Sequence, residues 1–337
     1  MKDYLATPPK ITRRRIFTVS APVEFRRPVQ IKTILAPVDF SQESFRALEY
    51  SILIAKKFGA VVHVVNIRPS KEASAIERAG NLLCNYTDAL ALLQDRLAEI
   101  QEKHDVKFSP ANCHVEAGRP YEKICGVARE TAADLIVMAT RGESGLKHLL
   151  LGSTTERVIR FTPSPVLVAR GKSYKVALAL GEKSKLKIRK ILVPVDFSEC
   201  SLTGVRYAAF LAKRFAARLK LLHVVGRQDH DYAFASEGFE GEITRLTEVA
   251  RERAKRQMTE LRRSSLLQGV SCESEIPIGN AITEICRRGA QDDADLIVIS
   301  THGRSGFRRT LIGSVAEQVA RYAEHPVLIV PSRERKE

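Results

Sequence analysis

Ile31-Lys-Thr-Ile-Leu-Ala-Pro-Val-Asp-Phe-Ser41 recurs as Ile188-Arg-Lys-Ile-Leu-Val-Pro-Val-Asp-Phe-Ser198, 157 residues further along a chain of 337. Each copy is a short apolar, β-branched run closed by Pro-Val-Asp, with a serine opening a helical pattern just beyond. Ala133-Asp-Leu-Ile-Val-Met-Ala-Thr140 recurs as Ala294-Asp-Leu-Ile-Val-Ile-Ser-Thr301 at an offset of 161, so four residues were gained within the second copy. Gly142-Glu-Ser-Gly145 and Gly152-Ser153 keep that offset, as Gly303-Arg-Ser-Gly306 and Gly313-Ser314. Repeats of this length are whole domains, too long for solenoid units.

Working outward, copy one predicts strands at 32–38, 60–67, 112–117, 134–139 and 165–169, and copy two at 189–195, 218–225, 271–277, 295–300 and 326–330. Helical stretches alternate with them at 43–58, 86–103, 120–131 and 152–161, then at 200–215, 240–264, 281–290 and 313–323. Continuously apolar strands such as Leu135-Ile-Val-Met-Ala139 suit a parallel sheet covered on both faces. The fold class is a doubly wound α/β sandwich, built twice. The chain divides into a basic arm (1–30), a first domain (31–169), a basic linker (170–187), a second domain (188–331) and a tail (332–337).

The net charge of +15 invites a nucleic-acid reading until its position is considered. The arm carries +5 and residues 170–190 carry +7, leaving the globular parts nearly neutral. Nucleic-acid association through the basic arms is therefore only a third, weaker reading, which an absence of salt-sensitive retention on DNA or RNA would remove. No apolar run approaches the roughly 18 residues of a membrane span, so no membrane is expected. Six cysteines without a CxxC pair fit neither a disulfide framework nor a zinc site and suit a reducing cytoplasm.

In doubly wound sheets, ligands sit beyond the carboxyl ends of the strands, where the winding reverses. After the fourth strand of copy two comes Thr301-His-Gly-Arg-Ser-Gly306, then Gly313-Ser314 opening a helix. Glycines admit close backbone approach, and a helix N-terminus offers free N–H groups and a positive dipole end. Ser314 and Arg304 add hydrogen bonds to such a phosphate cradle. The competing reading is a glycine-rich turn with Ser314 as an ordinary N-cap. Asp196, at the tip of the first strand, is placed to accept from a base or ribose, or equally to cap the helix near Ser198.

Pro-Val-Asp-Phe-Ser after the first strand, His223-Val224 closing the second and His302-Gly303 followed by Gly313-Ser314 closely resemble the universal stress protein family, once per copy. The resemblance implies tandem Rossmann-like domains of the adenine nucleotide alpha hydrolase-like type. It also implies bound ATP with Mg2+ or Mn2+, and a nucleotide-responsive stress module working through an unidentified protein partner. It maps the phosphate glycines to Gly303 and Gly313 with Ser314 and Val315, and to Gly142 and Gly152 with Ser153 and Thr154. The family's first glycine is replaced by Ser300 and by Ala139. Asp196 and Asp39, preceded by Pro194-Val195 and Pro37-Val38, match the base-contacting aspartate, and Val224 and Ile67 match the position whose backbone faces adenine. Glu143 stands where copy two has Arg304, and a carboxylate beside a triphosphate is repulsive, so the second copy is the expected better site.

Neither Gly-x4-Gly-Lys-Ser/Thr nor Gly-x-Gly-x-x-Gly occurs, and no catalytic constellation is apparent, so at most slow ATP hydrolysis is expected and not a dedicated enzyme. The alternative is an interaction scaffold that binds no nucleotide. Cys125 and Cys286 read as packing residues, His223 as a hydrogen-bonded structural histidine, His302 as a loop-shaping residue and 229–238 as a flap. Cys113-His114 is two adjacent metal-ligand types without partners, for which strand packing is the stronger reading. The resemblance also implies association through the last strand, Pro165-Val-Leu-Val-Ala169 pairing antiparallel with Pro326-Val-Leu-Ile-Val330 as an internal pseudo-dimer, and a homodimer of chains as a further state.

Overall fold

Apolar runs of four to eight residues become strands because β-branched side chains pack well on a pleated surface, and the longer runs of 3.6 periodicity become the helices that cover it. The structure, a computed structural model, describes residues 28–68, 86–104, 109–140, 151–170, 186–226, 240–301 and 313–331. The first half comprises β1 (Thr33–Val38), α1 (Gln42–Phe58), β2 (Val61–Arg68), α2 (Tyr86–His104), β3 (Cys113–Ala117), α3 (Pro120–Glu130), β4 (Leu135–Ala139), α4 (Ser153–Phe161) and β5 (Val166–Ala169). The second comprises β6 (Lys190–Pro194), α5 (Glu199–Phe215), β7 (Arg218–Leu222), α6 (Glu240–Arg263), β8 (Cys272–Glu275), α7 (Ala281–Gln291), β9 (Leu296–Ser300), α8 (Ser314–Tyr322) and β10 (Val327–Val330). The sequence places every one of these elements to within three residues. The 229–238 stretch lies outside the described residues, as do His302, the tail and all but the ends of the arm and linker.

The strands form one sheet in the order β3-β2-β1-β4-β5-β10-β9-β6-β7-β8. Each half is parallel throughout, and the halves join by the expected antiparallel pairing of β5 with β10, where Val168 faces Val327 and Leu167 faces Leu328. Successive strand residues point to opposite faces. Ile34, Ala36 and Val38 pack with α1 and α2, whereas Leu35 packs with α3 and α4. Both core layers run through both halves without a break.

Other contacts close the seam. Phe58 stacks on Phe210 at 5.5 Å between ring centres and meets Phe215 edge-on, while the Arg214 side chain donates to the Lys57 carbonyl at 2.6 Å. On the opposite face Arg321 lies 3.3 Å from Glu156 and Arg160 lies 3.9 Å from Glu317, a reciprocal bridge between α4 and α8. The ends of the linker are engaged with the body of the fold: Arg170 donates to the carbonyls of Ala320, Arg321 and Ala323 at the end of α8, and Leu186 is buried. Among the described residues no helix is long and apolar enough to cross a membrane.

Candidate functional site

Within each half the chain leaves β1 (or β6) toward one side of the sheet and later crosses to β4 (or β9) on the other, which opens a crevice between their carboxyl ends. The residues just beyond β6 and β1 form a turn at its edge. After β6, Asp196 Oδ1 accepts from the Ser198 N–H at 3.0 Å and from its hydroxyl at 2.6 Å, and Ser198 Oγ in turn accepts from the Ser201 N–H at 3.2 Å. The first half repeats this at Asp39, Ser41 and Ser44, with 3.1, 2.6 and 3.2 Å. The aspartate therefore orients the serine that caps the helix, rather than capping it directly. Between aspartate and serine, Phe197 and Phe40 hold φ of +63° and +65°, a left-handed conformation that costs a non-glycine residue about 1–2 kcal/mol. The same left-handed residue follows the aspartate at both sites.

A side chain from the second strand secures each turn. The His223 Nδ1–H donates to the Val195 carbonyl at 2.6 Å, and Asn66 Nδ2 donates to the Val38 carbonyl at 2.9 Å. Both donors are buried, and the His223 ring packs on Phe197 at 4.7 Å. His223 is the structural histidine expected from sequence. Asn66 was not singled out there, although the 157-residue offset aligns it with His223 and both can donate. His223→Asn is expected to keep the stability of the chain, because it installs the donor that the first half already uses. His223→Leu, which leaves the Val195 carbonyl without its partner, should cost about 1–3 kcal/mol in urea unfolding. Equal midpoints for the two variants would refute this role.

The start of α8 is tied to the end of β9, and the start of α4 to the end of β4, at a narrow neck. The Gly313 N–H donates to the Thr301 carbonyl at 2.6 Å, and the Gly152 N–H to that of Thr140 at 2.7 Å. The residues between, including Gly303 and Arg304 in one half and Gly142 and Glu143 in the other, lie outside the described residues. Gly313 is the N-cap of α8 with φ −61° and ψ 137°, and Gly152 is that of α4 with φ −62° and ψ 142°; neither helix has a side-chain cap. Ser314 and Ser153 are thus the first helical residues, not the N-caps. Any residue adopts these backbone angles, so conformation does not require glycine here. What glycine gives is an N-cap position with no side chain of its own to take the N–H groups of the first helical turn.

Around this neck Ser314 and Ser153 are exposed, Val315 and Thr154 half-buried, and Ala316 and Thr155 buried, with the Thr155 hydroxyl donating to the Ala139 carbonyl at 3.0 Å. Ala139 and Ser300 are buried at the strand tips, as are Val38 and Val195 in the core, while Pro37, Pro194, Ile67 and Val224 are half-buried. A side chain on Gly204 of α5 would come within 3.5 Å of the Ser300 backbone nitrogen, so the helix lies close against that strand end. Asp39 is exposed and Asp196 half-buried.

Burial pushes the Cys125 thiol up to about 11 against the opposing pull of Arg129, and burial likewise raises Cys286. Such thiols stay protonated and pack, as expected. No cluster of three or more metal-ligand side chains occurs among the described residues.

Compared with known proteins, residues 30–170 and 187–331 each match the model of the universal stress protein family. The universal stress protein Slr1230 of Synechocystis sp. is 26% identical over 313 residues, covering 86% of this chain and 95% of that protein. The universal stress protein MJ0531 of Methanocaldococcus jannaschii is 32% identical over 142 residues, 42% of this chain and 81% of that one. A crystal structure of a universal stress protein from Archaeoglobus fulgidus superposes with a TM-score of 0.60 at 23% identity, covering 89% of this chain and 98% of the other, and shares its fold.

Proposed function

The chain belongs to the universal stress protein family, twice within one polypeptide, and from that premise we propose that it binds ATP, more tightly in the second half, and passes its nucleotide state to a protein partner. The observation that carries this reading is the uncapped N-terminus of α8, across the crevice from the Asp196 turn, with the same pair of features repeated at α4 and Asp39. The Asp196 carboxylate, which holds the turn through Oδ1, also accepts from the adenine or ribose. The backbone of Val224 lies along the base. The N–H groups at the start of α8, the Ser314 hydroxyl and the Gly303-Arg304 loop take the phosphates, where helix dipole and hydrogen bonds act together. Mg2+ or Mn2+ arrives with the phosphates. Arg304 in place of Glu143 favours the second half, since the triphosphate is strongly anionic. The proposed nucleotide domains span 31–169 and 188–331, and each acts as a binding module, not as a dedicated enzyme.

Purified protein should release adenine nucleotide on denaturation, and Asp196→Ala should weaken ATP binding about tenfold or more, the equivalent of one charge-assisted hydrogen bond. Asp39→Ala should affect only the weaker site. Absence of released nucleotide together with unchanged affinity in Asp196→Ala would leave the scaffold reading standing in its place.

A further inference from the structure

One contact across the seam has no counterpart in the other half. Arg170 directly follows β5 and so belongs to the first half, yet its half-buried side chain reaches the second. Nη1 donates to the carbonyls of Arg321, at 3.3 Å, and Ala323, and Nη2 donates to that of Ala320. The last carbonyls of a helix have no partner within it, and those of α8 are met by a cation placed at the negative end of the helix dipole. The 161-residue offset of the repeat puts Pro331 where Arg170 would stand for α4, and a proline side chain has no donor. Among the described residues no side chain donates to the matching carbonyls of Ile159, Arg160 and Thr162. The bridges of Glu156 with Arg321 and Arg160 with Glu317 brace both helices alike. The Arg170 brace serves α8 alone.

We propose, resting on the reading of the α8 N-terminus as a phosphate cradle, that Arg170 is a positioning residue for the second nucleotide site. It acts through α8 and makes that site depend on the first half of the chain. The helix has nine residues, Ser314 to Tyr322, so its open start lies about 13 Å from the end that Arg170 holds. A helix this short is marginal in water by itself and owes its order to what fixes it. With the last turn held, the first-turn N–H groups are ordered before a phosphate arrives; without the guanidinium, binding has to order them as well. An anion at the start of α8 and a cation at its end each favour the helical state of the same residues, so each strengthens the hold of the other. The first site lacks this support, a difference between the halves that is separate from the exchange of Arg304 for Glu143.

The test is titration of ATP into the full chain, with the amide resonances of Gly313 and Gly152 reporting the second and first sites separately. Arg170→Ala should weaken the second site about five- to tenfold and leave the first unchanged. Arg170→Lys should recover part of the loss, since one ammonium cannot span three carbonyls as a guanidinium does. Pro331→Arg is the reverse arm: it removes no contact of α8, places the same brace at the end of α4, and should tighten the first site. A tie that only stabilises the fold would lower the melting temperature without separating the two affinities. An Arg170→Ala chain whose two sites are unchanged or weakened alike overturns the positioning role, as does a Pro331→Arg chain whose first site is no tighter. A wild-type chain that binds no ATP at either site overturns the proposed function itself, and the positioning role with it.

Discussion

Val168→Asp is expected to turn a single unfolding transition into two and to remove several kcal/mol of stability. Val168 is fully buried on β5, between Met138 of β4 and Val327 of β10, which is fully buried as well. A carboxylate there has no partner, and burying it unpaired costs several kcal/mol whether it ionises or takes up a proton. β5 and β10 are the one point at which the two halves share strand hydrogen bonds among the described residues. Because both core layers run across that seam, the intact chain should melt cooperatively. The aspartate should open the seam and let the first half unfold ahead of the second. The Phe58 cluster and the half-exposed bridges between α4 and α8 are too small to keep the halves coupled, since such ion pairs contribute about 1 kcal/mol or less each. Val168→Ala is the control: its cavity should cost roughly 1–3 kcal/mol and keep a single transition at a lower temperature. Scanning calorimetry distinguishes the cases, and one transition at the wild-type temperature for Val168→Asp would mean that the β5–β10 pairing is not what holds the halves together.

The order of elements was legible because each depends on a local pattern. Leu135-Ile-Val-Met-Ala139 is apolar at every position because helices cover both faces of β4, and the run can be read without knowing its neighbours. The repeat made the pseudo-dimer legible as well, since two copies ending in similar apolar strands each present an edge to be paired. What was not legible depends on register between strands far apart in sequence. His63 and His114 are 51 residues apart, and nothing in either local sequence says that their rings touch. The pairing of Asn66 with Val38, and the reciprocal bridges of Glu156 with Arg321 and Arg160 with Glu317, are hidden for the same reason. At the helix starts the sequence left two readings of Ser314 open, a hydroxyl in the first helical turn or an N-cap, and the structure takes the first. Serine is the stronger N-cap by propensity, yet Gly313 and Gly152 hold the cap angles and the serines fall inside the helix. Propensity describes what best stabilises a helix; here a poorer cap leaves the helix end open.

Gly313→Asp converts that observation into a test in which stability and binding move in opposite directions. With φ −61° and ψ 137° at Gly313, aspartate can take the position without strain and accept from the N–H groups of the first turn of α8. Capping and the helix dipole together should stabilise the chain by about 0.5–1 kcal/mol. The same carboxylate would occupy the donors assigned to phosphate and place a negative charge against the triphosphate, so ATP affinity at the second site should fall about a hundredfold or more. A glycine retained only as part of a turn predicts otherwise: higher stability with ATP affinity unchanged. Gly152→Asp should raise stability in the same way while removing only the weaker site. Thermal melts of both variants, followed by ATP titration of each, decide between a phosphate cradle and a helix that merely begins with glycine.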